Sequence, residues 1–133
     1  FHGVEVDVSS LDDGVSACEA VSGACMLVRR AALEAEDFLD EGYSKHCEDL
    51  DLMYRLKLKG WHCVYVPAAG SFHQQGLSSQ SRPSWVHYKK HQGMVRFFRK
   101  YQAASTFFPL RLLVYTGIWL RFIILWPLVL IKR

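Results

Sequence analysis

Leu112 to Ile131 is an almost uninterrupted apolar run of 20 residues, about the length that crosses the hydrocarbon core of a bilayer. In a chain of 133 residues this run is the strongest constraint on folding. A helix apolar on every face needs either lipid or a larger protein to cover it. Arg121, near its middle, costs roughly 2.5–3.5 kcal/mol on insertion scales, and Pro127 predicts a break in the helix. The Leu and Ile residues contribute around −0.5 kcal/mol each, so the sum favours membrane association. Spanning, re-entry and lying flat are all compatible with this composition.

The segment before it, Trp85 to Gln102, has the pattern of a helix with two faces. Trp85, Tyr88, Val95, Phe98 and Tyr101 form an aromatic stripe, and Lys89, Lys90, Arg96, Arg99 and Lys100 a dense basic complement. Such a helix either packs on the domain in the ordinary way or lies against an anionic membrane surface. The apolar run that follows favours the second reading. Nucleic-acid binding by the same cations and rings is a third reading. The formal net charge of +3 is small for it, and the adjacent bilayer-length run argues against it. Most acids lie before Leu52, whereas the second half is Lys/Arg-rich. Four cysteines, Cys18, Cys25, Cys47 and Cys63, form no CxxC pair, which predicts buried free thiols in a reducing compartment rather than a zinc site. The length allows one domain with a real core, and the abrupt opening at Phe1 reads as the C-terminal portion of a larger protein.

A second feature carries the chemistry. In His46-Cys47-Glu48-Asp49-Leu50-Asp51-Leu52-Met53-Tyr54-Arg55-Leu56, three carboxylates sit within four residues at the head of an apolar-periodic run that Gly60 stops. The spacing predicts a helix of about three turns with its acids at the end where the dipole favours negative charge. Capping needs one or two acids. A third in the same turn adds like-charge repulsion, the condition that raises a carboxylate's proton affinity and prepares a general base.

Around this helix, Ala20 to Val28 is a small-to-apolar run that predicts a buried strand ended by Arg29-Arg30. Gly23 and Ala24 leave room there for close backbone packing or for close approach of a ligand. Ser9 to Gly14 reads as a polar turn, Ala31 to Ala35 as a short helical turn, and Phe38 to Tyr43 as a loop with a second acid pair. Trp61 to Pro67 predicts a strand closed by proline, and helix, glycine, strand in that order predicts an α/β crossover. Ala68 to Phe72 reads as a further extended segment. It delivers His73 into a Gly/Ser loop, where anion or metal binding competes with an ordinary surface role.

Val21-Ser22-Gly23-Ala24-Cys25-Met26-Leu27-Val28-Arg29-Arg30, Phe38-Leu39-Asp40-Glu41-Gly42-Tyr43, Glu48-Asp49-Leu50-Asp51-Leu52 with Arg55, Gly60-Trp61, Val66-Pro67 and His73 stand in a definite order. That series, from about Cys18 to Ser79, resembles the C-terminal half of the catalytic domain of bacterial family 2 glycosyltransferases, the inverting, rhamnosyltransferase-like group. The resemblance implies an α/β architecture, a partial GT-A (Rossmann-like) domain over residues 1–83. A basic amphipathic helix (84–106) and a hydrophobic membrane-associated helix (107–133) follow it.

The resemblance further implies a transferase that moves a sugar from a nucleotide-diphospho-sugar to an acceptor hydroxyl, in cell-surface polysaccharide or glycolipid synthesis. Asp49 occupies the place of the general base. Glu48, Asp51 and Arg55 flank it as substrate-binding groups, with Gly23 and Ala24 beside the pocket. His73 matches a histidine that completes a divalent-cation (Mg or Mn) site with the family's Asp-x-Asp motif. That motif and the nucleotide-binding βαβ units are expected to be missing from this sequence, so that the chain alone should not bind donor competently. The family usually places Gly-Gly-Phe-Asp-Glu before the base, where this chain has Glu36-Asp37-Phe38-Leu39-Asp40-Glu41. The acceptor implied is a saccharide or lipid-linked saccharide, and no nucleic-acid partner is expected. The location implied is the cytoplasmic face of the bacterial inner membrane, reached through residues 84–133. A non-catalytic membrane-surface module is the alternative.

Overall fold

A computed structural model of the chain describes residues 14–71 and 82–131. The loop that carries His73, and the expected turn at Ser9–Gly14 apart from Gly14 itself, lie outside the described residues. Within them the chain forms two compact units, residues 14–41 with 48–71 and residues 42–47 with 82–131.

The first unit contains β1 (Ser16–Cys18), α1 (Arg30–Glu34), α2 (Glu48–Leu58) and β2 (Cys63–Tyr65). The helix expected around the acid cluster is α2, 11 residues long, with Glu48, Asp49 and Asp51 in its first turn and Arg55 and Lys57 in its last. Both sets of charge complement the helix dipole. Its C-terminus closes through Gly60 at φ +81, with the Gly60 N–H bonding Lys57 O and the Trp61 N–H bonding Leu56 O, both at 3.0 Å. This paired closure needs a residue in the left-handed region, which glycine occupies without strain. Asp51, Leu52 and Met53 of α2 are buried, as is Ala32 of α1.

Three expectations change here. β2 pairs with β1 antiparallel, in the register Ser16↔Tyr65, Ala17↔Val64, Cys18↔Cys63. After the Gly60 turn the chain therefore enters the ladder from the opposite end, and the described residues contain no parallel crossover. Ala20 to Val28 is not a buried strand. Residues 22–25 turn, with the Cys25 N–H on Ser22 O at 3.3 Å, and Leu27 is fully exposed. A strand needs a neighbour for its N–H groups. Here the Val21 N–H goes to Met53 Sδ (3.1 Å), the Gly23 N–H to Asp49, and the Ala24 N–H to Ser22 Oγ (3.3 Å). With that strand gone, Cys25 is exposed, and Cys18, Cys47 and Cys63 are half-buried free thiols. The burial and the thiol neighbour Cys18 push the Cys63 pKa up to about 11. Nor is the stretch from Ala68 extended, since the Ala69 N–H bonds back to Val66 O at 3.1 Å.

The second unit is built on α3 (Pro83–Tyr101) and α4 (Phe108–Ile131). Pro83 opens α3, where a missing N–H costs nothing. The turn between the helices is tied by the Ser105 and Thr106 hydroxyls, which both donate to Gln102 O. The helices then run antiparallel with a ladder of rings between them. Phe98 meets Tyr115 (centroids 5.3 Å), His91 meets Phe122 (5.3 Å), and His87 stacks on Phe122 (4.9 Å) and reaches Trp126 (6.1 Å). On α3, Gly93 lets segment 42–47 approach. A Cβ there would stand 2.8 Å from His46 O, and the Arg96 guanidinium lies 5.2 Å from the Tyr43 ring centre. Pro127 does not break α4, which is continuous over 24 residues. The proline removes one intrahelical donor, while the turns on either side keep theirs. None of α4 is buried.

Candidate active site

The acids of α2 separate into two environments, around Asp49 and around Asp51, two residues apart. Asp49 is half-buried, and its two oxygens face different backbone donors. Oδ2 accepts the Gly23 N–H at 2.9 Å and Oδ1 accepts the Leu50 N–H at 2.9 Å. A carboxylate offers about four acceptor positions, so each oxygen keeps a lone pair for a further donor. The glycine is fitted to the acid, because a Cβ on Gly23 would lie 3.2 Å from both Asp49 Cβ and Oδ2. The turn at 22–25 holds this contact, and Ala24 stands exposed beside it. Gly23, Ala24 and Asp49, named separately from the sequence, thus meet in one place.

Asp51 is fully buried and bonds Arg55 Nε through Oδ2 at 2.9 Å. The Arg55 guanidinium also lies 3.5 Å from Glu36 Oε2 and donates to the Glu36 carbonyl and, at 2.6 Å, to the Phe38 carbonyl. Its side chain is 15% exposed, against 0% for Asp51 and 8% for Glu36. The fork of five donors that arginine carries is matched here to two carboxylates and two carbonyls. Asp51 and Arg55, expected to touch substrate, are instead turned into the protein by this network. Glu36 was not singled out in the sequence. The segment it holds includes Asp37 at φ +52 and Phe38 at φ +61, where non-glycine residues are strained. If Asp40-Glu41 stand for the family's Asp-Glu, its two glycines fall on this strained pair.

Glu48 opens α2 half-buried, with Oε2 buried and without a hydrogen-bond partner among the described residues. Asp49-Leu50-Asp51 has the letters of an Asp-x-Asp motif, but Asp51 is sealed with Arg55. Among the described residues no group of three or more His, Cys, Asp or Glu side chains is placed to bind a metal ion. His73 lies outside those residues.

The profile described as "Glycosyltransferase like family 2" matches residues 3–102, most of the chain and all of α2. The chain belongs to this glycosyltransferase family. It is also similar to curated rhamnosyltransferases. Over 64 residues it is 42% identical to the N-acetylglucosaminyl-diphospho-decaprenol L-rhamnosyltransferase of Mycobacterium tuberculosis, a match covering 48% of this chain and 21% of that protein. Over 52 residues it is 42% identical to rhamnosyltransferase WbbL of Escherichia coli K12, covering 39% of this chain and 20% of that one. The chain's match spans about a fifth of the length of these relatives. No solved structure matches the chain. Family membership implies a GT-A fold.

Proposed function

We propose that this glycosyltransferase chain carries the acceptor-side catalytic elements of an inverting sugar transfer, with Asp49 as the general base. The observation that supports this most directly is the Asp49 carboxylate, pinned by two backbone N–H groups yet half-open, with a lone pair left on each oxygen. In the proposed step an acceptor hydroxyl donates to one of those oxygens. As its oxygen bonds the anomeric carbon, the proton passes to Asp49 and the bond from that carbon to the nucleoside diphosphate breaks. Attack opposite the leaving group inverts the anomeric centre. Positioned general bases contribute roughly 10²–10⁴-fold to such a step.

Glu48, whose buried Oε2 has no protein partner among the described residues, is assigned to an acceptor hydroxyl. Asp51 and Arg55 are positioning residues that hold α2 and the 36–38 segment, and Gly23 and Ala24 shape the floor beside the base. The chain divides, in this proposal, into a glycosyltransferase part over 1–83, a basic helix over 84–106 and a hydrophobic helix over 107–133. The expected divalent cation is not built by the described residues, and the step above uses the protein's own groups alone. The donor proposed is a nucleotide-diphospho-sugar. The decaprenol-linked substrate in the name of the mycobacterial relative supports a lipid-linked saccharide acceptor for envelope polysaccharide or glycolipid, handled at the cytoplasmic face of the inner membrane. The test is Asp49→Asn in the complete enzyme, assayed for transfer to a polyprenyl-linked acceptor. Loss of turnover by at least a hundredfold, on the order expected for a missing general base, with unchanged unfolding behaviour is the expected result. Retained turnover overturns the assignment.

A further inference from the structure

All 13 carboxylates of the chain lie at or before Asp51, and from Pro83 to Arg133 there are nine Lys and Arg residues and no Asp or Glu. This acid-free stretch contains both long helices. Lys90, Arg99 and Lys100 of α3 and Arg121 of α4 are exposed. Alongside them α4 leaves a stripe of large apolar side chains uncovered, with Leu113, Leu120, Ile124, Leu128 and Ile131 each at least half exposed. A hairpin that exposes both a large apolar stripe and cations fits one partner chemistry, an anionic lipid surface.

The ring ladder then fixes how α4 can meet that surface. Contacts run from Phe98–Tyr115 at one end to His87–Trp126 at the other, about 16 Å of helix axis. Were α4 to cross the bilayer with α3 attached, Lys89, Lys90 and Arg96 would be carried to hydrocarbon depth beside Arg121. Each Lys or Arg at mid-depth weighs against insertion by on the order of a hundredfold. The 15 Leu, Ile, Val and Phe residues of α4 favour it by only about twofold each. Four cations outweigh them by several powers of ten. Separation of the helices would in turn expose His91, which is fully buried between them.

We infer that α3 and α4 form an in-plane hairpin that docks the enzyme on anionic lipid, with the uncovered stripe of α4 at the acyl boundary and no crossing of the bilayer. This rests on the membrane association within the proposed function and specifies its geometry. The test uses the full chain with sealed vesicles of phosphatidylcholine, alone or mixed with phosphatidylglycerol, and a protease-cleavable tag placed after Arg133. Two further variants retain either Trp119 or Trp126 as the one tryptophan, for quenching by lipids brominated at shallow or deep positions.

The expected result is salt-weakened binding to the mixed vesicles, a tag fully accessible from outside, and both tryptophans quenched best by the shallow label. Replacing Lys90, Arg99 and Lys100 by Glu should weaken partitioning by at least on the order of a hundredfold, about fivefold for each cation removed and more for the acids added, with helix content unchanged. Binding with a protected tag, or with the two tryptophans at depths about 10 Å apart, overturns the in-plane geometry and leaves membrane association standing. No binding to either vesicle overturns both. Transferase activity in solution is unaffected by any of these outcomes.

Discussion

Replacing Arg55 by Met keeps most of the side chain's length and removes its charge and all five donors. In the folded protein this strands Asp51, at 0% exposure, and Glu36, at 8%, without their cation. It also frees the Glu36 and Phe38 carbonyls that the guanidinium holds. Removing one partner of a buried pair costs about 3–5 kcal/mol, because the other charge stays desolvated and uncompensated. The carbonyls add about 1 kcal/mol each where water does not reach them. A loss near 5 kcal/mol is a large share of the roughly 5–15 kcal/mol that stabilises a domain. Arg55→Lys therefore serves as the graded variant. It restores a point charge beside Asp51 but not the planar fork to the carbonyls, and should lose about half as much. The measurement is the urea midpoint at constant slope on the complete protein, with Asp51→Asn closing a double-mutant cycle. A coupling above about 1 kcal/mol is expected for a buried pair. If Arg55→Met costs less than about 1 kcal/mol, as a solvent-exposed ion pair would, the Asp51–Arg55–Glu36 network is not the anchor of α2.

Gly23→Ala adds a Cβ 3.2 Å from the Asp49 carboxylate in an exposed turn whose backbone accepts alanine. It should lower kcat by roughly ten- to a hundredfold through misplacement of the base, with stability within about 1 kcal/mol; unchanged kcat removes Gly23 from the site. Burial lowers the pKa of His91, with the cations Arg121 and Lys90 adding to the effect, so the unfolded chain binds that proton more readily. Stability from this site is then fully present above the ordinary value of 6.5 and is lost as pH falls below it. His91→Leu should flatten the acid side of the profile of thermal midpoint against pH, and parallel profiles for the two proteins refute the assignment.

The helices were legible because their signals are local. α2 follows from acids at one end, apolar spacing and a glycine at the other, and its ends need no knowledge of what it packs against. α3 and α4 follow in the same way from composition over many residues. Of the strands, β2 was legible within the run Trp61 to Pro67, whereas β1 and the pairing of the two were not. Ala20 to Val28 has strand composition, yet its N–H groups bond the local Ser22 and also Met53 and Asp49, the last two on a helix some thirty residues away in sequence. Apolar composition states what a segment tolerates, whereas a ladder states who is beside it. The antiparallel register of β1 with β2, and with it the half-burial of Cys18 and Cys63, lies on that second level. Pro127 shows the converse, a local rule overridden by the intact turns around it.

For the site, the sequence located the cluster but could not divide it. Glu48, Asp49 and Asp51 are three carboxylates within one turn, and nothing in their spacing distinguishes a base from a brace. The helix gives Asp49 and Asp51 different surroundings. Asp51 and Arg55 are four apart, so they share a face and pair with each other. That face turns inward onto Glu36 and the Phe38 carbonyl. Asp49, two residues earlier, points about 200° away around the axis, toward the Gly23 amide. The i, i+4 pairing was therefore readable in advance as a reason to remove Asp51 and Arg55 from the substrate-binding set. What no spacing rule contains is Glu36, nineteen residues before Arg55, in a segment where two consecutive residues stand at positive φ. A largely buried arginine that binds both the carbonyls and the acid of such a segment is the physical means by which a strained loop and α2 are kept in one geometry. Removing the fork should loosen Asp49, the proposed base, which it never touches.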